Sequence, residues 1–269
     1  MRTPETNVSG VFLYYSGKFK IMKFKTKLRY LIFKTFPEKY IKFFFRAYEH
    51  KLNYNLLNLL NKGLRIDVIY DVGAYHGEWS MLLNKTSLKN KKFFLFEANE
   101  ENRNFLDKLG FKYFLKILSD RNKSVNFYSN ISTGDSYLKE QTSFYNHNSN
   151  SKLRKTTTLD NIVKKENLPL PDLLKIDTQG SELDILKGSI ESISECSLIY
   201  LECPIVEYNL NAPKLNEYID YLNSINFVPY DVCEVHKIDN VLIQIDILFI
   251  KKNILNEIYP GKKILNILT

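Results

Sequence analysis

The chain has 269 residues, 44% of them apolar and 25% charged, with a formal net charge of +8. Such a composition excludes a wholly disordered chain, a collagen-like repeat and a coiled coil, and it provides for one large domain or two small ones. The excess charge is local: residues 1–52 hold 12 Lys and Arg against Glu5, Glu38 and Glu49, and the remainder is close to neutral, which excludes a basic nucleic-acid-binding body.

In chain order, residues 1–20 read as a loose tail, with Met22 as an alternative start. Val11–Tyr15 is too short for the apolar part of a signal peptide. Basic residues then interleave with aromatics from Lys23 to Lys51, and Pro37 separates two expected helices. Ile41, Phe44, Tyr48 and Leu52 follow helical spacing, as do Leu56, Leu57 and Leu60. Strands are expected at Ile66–Tyr70, Phe93–Phe96, Phe111–Leu118, Val125–Tyr128, Leu173–Ile176, Leu198–Leu201, Val228–Cys233 and Val241–Ile250. Helices are expected after Gly77, after Asn99, from Thr158-Leu159-Asp160, around Leu183–Leu186 and over Leu215–Leu222. Nowhere do about 18 consecutive apolar residues occur, so no membrane-spanning helix is expected. Cys196, Cys203 and Cys233 lack the C-x-x-C spacing of a zinc site. They read as reduced thiols of a cytoplasmic protein, with no metal site expected.

Strands alternating with helices imply a three-layer α/β fold with a mainly parallel sheet. The last two strands have no helix between them, so they form a hairpin and contribute one antiparallel strand. Ligands of such sheets bind beyond the C-terminal strand ends. Five successive strand ends carry Asp71, Glu97, Asp120, Asp177 and Glu202. Such a rim repels itself and calls for a ligand bearing hydroxyls, amines or positive charge.

The segment Asp71-Val-Gly-Ala-Tyr-His-Gly77 has the form D-x-G-x-x-x-G. Gly73 permits a sharp turn and close backbone approach, and Gly77 lets the next helix start near the sheet. Glu97 follows Gly77 by 20 residues, the spacing of a carboxylate that accepts from ribose hydroxyls. That spacing also suits a nicotinamide enzyme, but the loop lacks the G-x-G-x-x-G that cradles a pyrophosphate. An acidic loop suits S-adenosylmethionine, a cationic cofactor without phosphate.

These residues, with Phe96-Glu97-Ala98-Asn99, Leu118-Ser119-Asp120, Thr158-Leu159-Asp160 and Leu174-Lys-Ile-Asp-Thr-Gln-Gly-Ser-Glu182 continuing to Gly188, resemble the FkbM family of S-adenosylmethionine-dependent methyltransferases. Ala98 stands where the family usually has proline, and Asp177-Thr-Gln-Gly180 is a variant of its Asp-Val-Glu-Gly. The resemblance implies a class I methyltransferase fold, a Rossmann-like sandwich around a seven-stranded, mostly parallel sheet. It divides the chain into a basic N-terminal helical extension (1–60), a methyltransferase domain (61–253) and a C-terminal tail (254–269). It implies that Asp71, Gly73, Ala74 and Gly77 cradle the cofactor. Glu97 would bind the ribose with Asn99 nearby, and Ser119 and Asp120 would face the adenine. Asp177 would lie under the methyl-transfer centre.

The family's usual acceptors are hydroxyl groups of sugars or polyketide-type products. Lys175 and Asp177, two apart on a strand, share a face and are expected to pair. With Glu182 on the next helix and His76 in the glycine loop they are the catalytic candidates. Glu202 is the candidate substrate residue, and His236 is expected in a solvated turn. The polar stretch 121–154 reads as a substrate-facing insertion whose Tyr137, Phe144 and Tyr145 can stack on a sugar. The expected partner is a small-molecule or glycan substrate and no nucleic acid: the Asn/Asp-Pro-Pro-aromatic turn of amino-methylating nucleic-acid enzymes is absent. Residues 18–51 read either as helices packed on the domain with a solvated basic face or as a segment drawn to an anionic membrane surface. A non-catalytic adaptor acting through that segment is the alternative from another class.

Overall fold

The computed structural model describes residues 50–129, 134–142 and 151–260. Phe45–Thr269 form a compact unit apart from Met1–Phe44, and every element below belongs to it. The helices expected before residue 50, and Phe144 and Tyr145, lie outside the described residues.

The first helix, α1 (His50–Asn61), buries Leu52, Leu56 and Leu59, an i, i+4, i+7 stripe, and leaves Leu57 exposed. The apolar face is therefore rotated from the Leu56, Leu57, Leu60 set that spacing alone suggested. Strand β1 (Val68–Val72) follows, then α2 (Glu78–Lys85), β2 (Lys92–Glu97) and a short turn of helix leading into α3 (Arg103–Leu106). Next come β3 (Lys112–Leu115), β4 (Ile117–Leu118), β5 (Ser124–Tyr128) and β6 (Ser151–Thr157). The second half alternates α4 (Leu159–Glu166), β7 (Leu173–Ile176), α5 (Glu182–Lys187), β8 (Leu198–Pro204) and α6 (Leu215–Ser224). It closes with β9 (Phe227–Ile238), β10 (Val241–Lys251) and α7 (Lys252–Ile258).

The main sheet has the order β3-β2-β1-β7-β8-β10-β9. All neighbours are parallel except β10, which runs antiparallel to β8 and β9. This is the class I methyltransferase sheet. The central strands β1, β7 and β8 are buried at every position, as strands covered on both faces must be. The main core packs Tyr70, Phe96, Ile176, Leu201 and Phe249 against Leu159, Leu186, Tyr218 and Leu222 of α4, α5 and α6. Burying each such side chain contributes about 1.5–3 kcal/mol.

Three expectations need correction. The single strand over Phe111–Leu118 breaks at Lys116, whose backbone N–H donates to Glu97 O at 2.9 Å. Ile117 and Leu118 thereby leave the main sheet and pair with β6 in a second sheet of order β4-β6-β5. Strand β6 has no apolar pattern of its own, since Leu153 is its one apolar residue and is exposed; pairing with β5 creates it. Asp71 and Glu202 sit inside their strands, which run on to Val72 and Pro204, so neither is a strand end.

Thr158-Leu159-Asp160 divides its labour. Thr158 Oγ1 caps α4 by accepting from Asn161 N at 3.1 Å, Leu159 is fully buried, and Asp160 accepts from the backbones of Glu191 and Ser192. The motif is a clamp between α4 and the turn after α5.

Candidate functional site

The site forms where the loops after β1, β2 and β7 meet. Gly73 has φ +72°, and a Cβ there would stand 1.8 Å from the backbone oxygen of Asp177. Glycine is needed because the two loops touch backbone to backbone, whatever ligand approaches from the other side. A Cβ on Gly77 would strike the Leu109 side chain at 2.2 Å.

Beneath these loops lies a buried ion group. Lys175, 5% exposed, puts Nζ 3.1 Å from Asp71 Oδ1, 3.4 Å from Asp177 Oδ2 and 2.9 Å from Gly73 O. Asp71 and Lys175 are cross-strand neighbours on β1 and β7, and Asp71 also accepts from Ser80 Oγ at 2.7 Å. Burial opposes the charge on Lys175, but the two carboxylates outweigh it and raise its pKa. The Lys175–Asp177 pairing expected from strand spacing is present; the Asp71 partnership joins distant segments and had no local signal. Asp71, Ala74 and Gly77 therefore shape the loop from behind.

An open cavity lies on the other side, lined by Gly73, Tyr75, Glu97, Ala98, Lys116, Ile117, Leu118, Phe127, Asp135, Tyr137, Asp177 and Gln179, among others. Glu97 is its anchored acid. Oε2 accepts from Tyr75 N and Oε1 from Asn99 N, both at 2.7 Å. Burial outweighs these bonds and pushes its carboxyl up to about 7. Two oxygens offer roughly four acceptor positions, so each retains one for hydroxyls of a ligand. Asn99 caps the following turn through Glu101 N and donates to Asp135 Oδ2 at 2.7 Å, tying the 134–142 segment to the site.

Ser119 and Asp120 do not line the cavity. Ser119 is fully buried and donates to Asp120, which pairs with Lys123 at 2.8 Å. The apolar slot comes instead from Ile117, Leu118 and Phe127, with Tyr137, whose hydroxyl donates to Asp184 at 2.9 Å. Leu118 is the one residue of Leu118-Ser119-Asp120 that reaches the cavity. Phe127 and Tyr137 come from a separate stretch whose signal was only its aromatics.

Asp177 is the half-exposed acid, its side chain 41% accessible. Burial works against its charge, but Lys175 wins and holds its carboxyl below the ordinary range. Behind it Glu202, 7% exposed, accepts from Gln179 Nε2 at 3.0 and 3.1 Å and from Tyr208 OH at 2.7 Å. Burial and the Asp177 charge raise Glu202 well above the carboxylate range, so any proton held by this pair rests on Glu202. Gln179 occupies left-handed space at φ +58°, held by Asn209 Nδ2 and Ser136 Oγ on its carbonyl. Gln179 is the brace that links Asp177 to Glu202, and Tyr208 carries no sequence signal.

Two catalytic candidates are engaged elsewhere. Glu182 is fully buried: Oε1 accepts from Thr178 N and Gly180 N, and Oε2 from Tyr218 OH. Its carboxylate closes its own loop rather than facing the rim. His76 is sandwiched between Tyr75 and Phe105, with centroids at 3.7 and 3.6 Å, does not line the cavity, and is lowered to about 4 by burial.

The family model described as the methyltransferase FkbM domain matches residues 71–229, more than half of the chain. Among solved structures, the methyltransferase FkbM from Methylobacillus flagellatus KT aligns with 72% of this chain and 47% of that one, at 19% identity and TM-score 0.45. The chain thus spans about half the length of that protein. Precorrin-6y C5,15-methyltransferase from Geobacter metallireducens GS-15 aligns at 15% identity and TM-score 0.42, over 74% of this chain and 87% of that one. Magnesium protoporphyrin IX methyltransferase from Synechocystis PCC 6803, solved with bound SAM, aligns at 7% identity and TM-score 0.42, over 76% and 79%. No curated protein sequence matches the chain. The matched residues run from Asp71 through the loops that build the cavity into β9, and by that match the chain belongs to the FkbM methyltransferase family.

Proposed function

We propose that the chain is an S-adenosylmethionine-dependent O-methyltransferase whose acceptor is a hydroxyl of a sugar, glycan or glycolipid precursor. The observation that carries the cofactor assignment is Glu97, fixed by two backbone N–H groups at the floor of the cavity with acceptor positions to spare for a ribose diol. The Ile117, Leu118 and Phe127 slot beside it suits an adenine ring. S-adenosylmethionine, when bound, supplies the electrophilic methyl group.

The chain's own residues orient the acceptor and handle its proton. Asp177, kept ionised by Lys175, accepts the hydrogen bond of the acceptor hydroxyl and takes its proton; a positioned base contributes about 10²–10⁴-fold. Gln179 and Glu202 hold Asp177 from behind. The polar side chains of Asp135, Asp177 and Gln179 on the cavity wall favour a polyhydroxylated acceptor over an apolar polyketide. On the same reading the enzyme works in the cytoplasm, and residues 18–51 draw it to an anionic membrane surface.

Isothermal titration with S-adenosylmethionine, S-adenosylhomocysteine and NAD tests the cofactor: binding of NAD alone would overturn the reading. Methyl transfer from labelled cofactor to a panel of sugars and glycolipid headgroups tests the acceptor. Asp177→Asn is expected to lower kcat by about 10²–10⁴.

A further inference from the structure

Beyond Glu202 the same face of the sheet gathers three metal-ligating side chains. Glu234 and His236 lie two apart on β9 and so share a face, and Asp246 on β10 stands opposite Glu234. Asp246 is also the cross-strand partner of Glu202. His236, expected in a turn, is thus on a paired strand opposite Gln244; the turn is Asp239-Asn240, both with positive φ.

One ligand atom from each of Glu234, His236 and Asp246 lies within 4.8 Å of the others. His236 Nε2 is 3.5 Å from Glu234 Oε2 and 3.5 Å from Asp246 Oδ1. These separations are at the outer limit of hydrogen bonding. They match the edge of a tetrahedron, about 3.3–3.6 Å, for metal–ligand bonds of roughly 2.0–2.2 Å. The Asp246 carboxylate is already oriented from outside the trio: Oδ2 accepts from Tyr200 OH and Oδ1 from Gln244 Nε2, each at 3.2 Å. Gln244 in turn meets Tyr208 OH, the hydroxyl that bonds Glu202. Outer hydrogen bonds of this kind fix ligand geometry in metal sites. The scaffold is paired strand rather than loop, and Lys175 is already engaged by Asp71 and Asp177.

We propose that Glu234, His236 and Asp246 bind a divalent transition metal of the zinc type, with three protein ligands and a fourth position open to water or an acceptor oxygen. One imidazole and two carboxylates match the nitrogen and oxygen donors that zinc takes, and three protein ligands are the pattern of its open sites. The sequence offered no cysteine-based signal, because the donors come from two strands and become a set only through register. This inference stands apart from the methyltransferase reading and survives its failure.

The test is titration of the full chain, stripped with chelator, with ZnCl₂ by calorimetry. One zinc per chain is expected, together with the visible absorption of tetrahedral Co²⁺ when cobalt replaces zinc. His236→Ala and Glu234→Gln, each checked for folding by circular dichroism, are expected to weaken zinc at least tenfold and abolish the cobalt spectrum. Absence of stoichiometric binding overturns the proposal, as does wild-type affinity in either folded variant.

Discussion

At the residue scale the decisive groups are buried charges, and each makes a measurable demand. Glu97 has its pKa raised to about 7 in the fold, so the folded state holds a proton that the unfolded chain releases from about pH 4.5 upward. Its contribution to stability is therefore full below that point and falls as pH rises toward 7. The ionised form is the one that accepts from ribose hydroxyls, so cofactor binding runs the opposite way: affinity should fall about tenfold from pH 8 to pH 6. Calorimetry across that range checks this, and Glu97→Ala should remove both the affinity and its pH dependence. Lys175 poses a different demand. Lys175→Met would leave Asp71, fully buried, and Asp177 without their shared cation, at a cost of about 3–5 kcal/mol in urea unfolding. In the double variant with Asp71→Asn the loss should be less than additive, because one carboxylate no longer needs the cation. Glu182→Ala should cost about 1–3 kcal/mol, since the N–H groups of Thr178 and Gly180 lose their acceptor. Its effect on kcat should track the loss of loop order rather than the loss of a base.

At the scale of elements, the loops after β1 and β7 act as one unit because they cross in backbone contact. Gly73→Ala would push a Cβ into the Asp177 carbonyl from a left-handed backbone, so both loops must move. Loss of cofactor binding by calorimetry and a lower unfolding midpoint are expected together. Much of this level was legible: the apolar runs of β1, β7 and β8 are buried on both faces and that of β2 largely so, and their glycine and carboxylate punctuation marks the loops. The split at Lys116 was not, since Ile117-Leu118 continues an apolar run and only pairing with β6 takes it away. Strand β6 itself is defined by its partners rather than by its side chains.

For the molecule as a whole, the first 52 residues carry +9 and the remainder −1, and those before residue 50 lie outside the described structure. No helix among the described residues is long and apolar enough to cross a membrane. The proposed membrane contact of residues 18–51 predicts that the 269-residue chain sediments with anionic vesicles and not with zwitterionic ones. The difference should vanish at high salt, because each well-placed Lys or Arg contributes about 1 kcal/mol that is screened beyond a Debye length.

Sequence alone determined the alternation of strands and helices, the glycine loop, the acid at Glu97 and the family, because these are local: runs of apolar residues, fixed spacings and short motifs. Only the tertiary structure decided which acids face the cavity. Register between β1 and β7 joined Asp71 to Lys175, the backbone of the loop after β7 drew Glu182 inward, and the meeting of β8, β10 and β9 set Glu202, Asp246 and Glu234 in one row with His236 two residues along β9. Pairings between distant strands are set by the packing of the whole sheet, and no residue carries them in its neighbours along the chain.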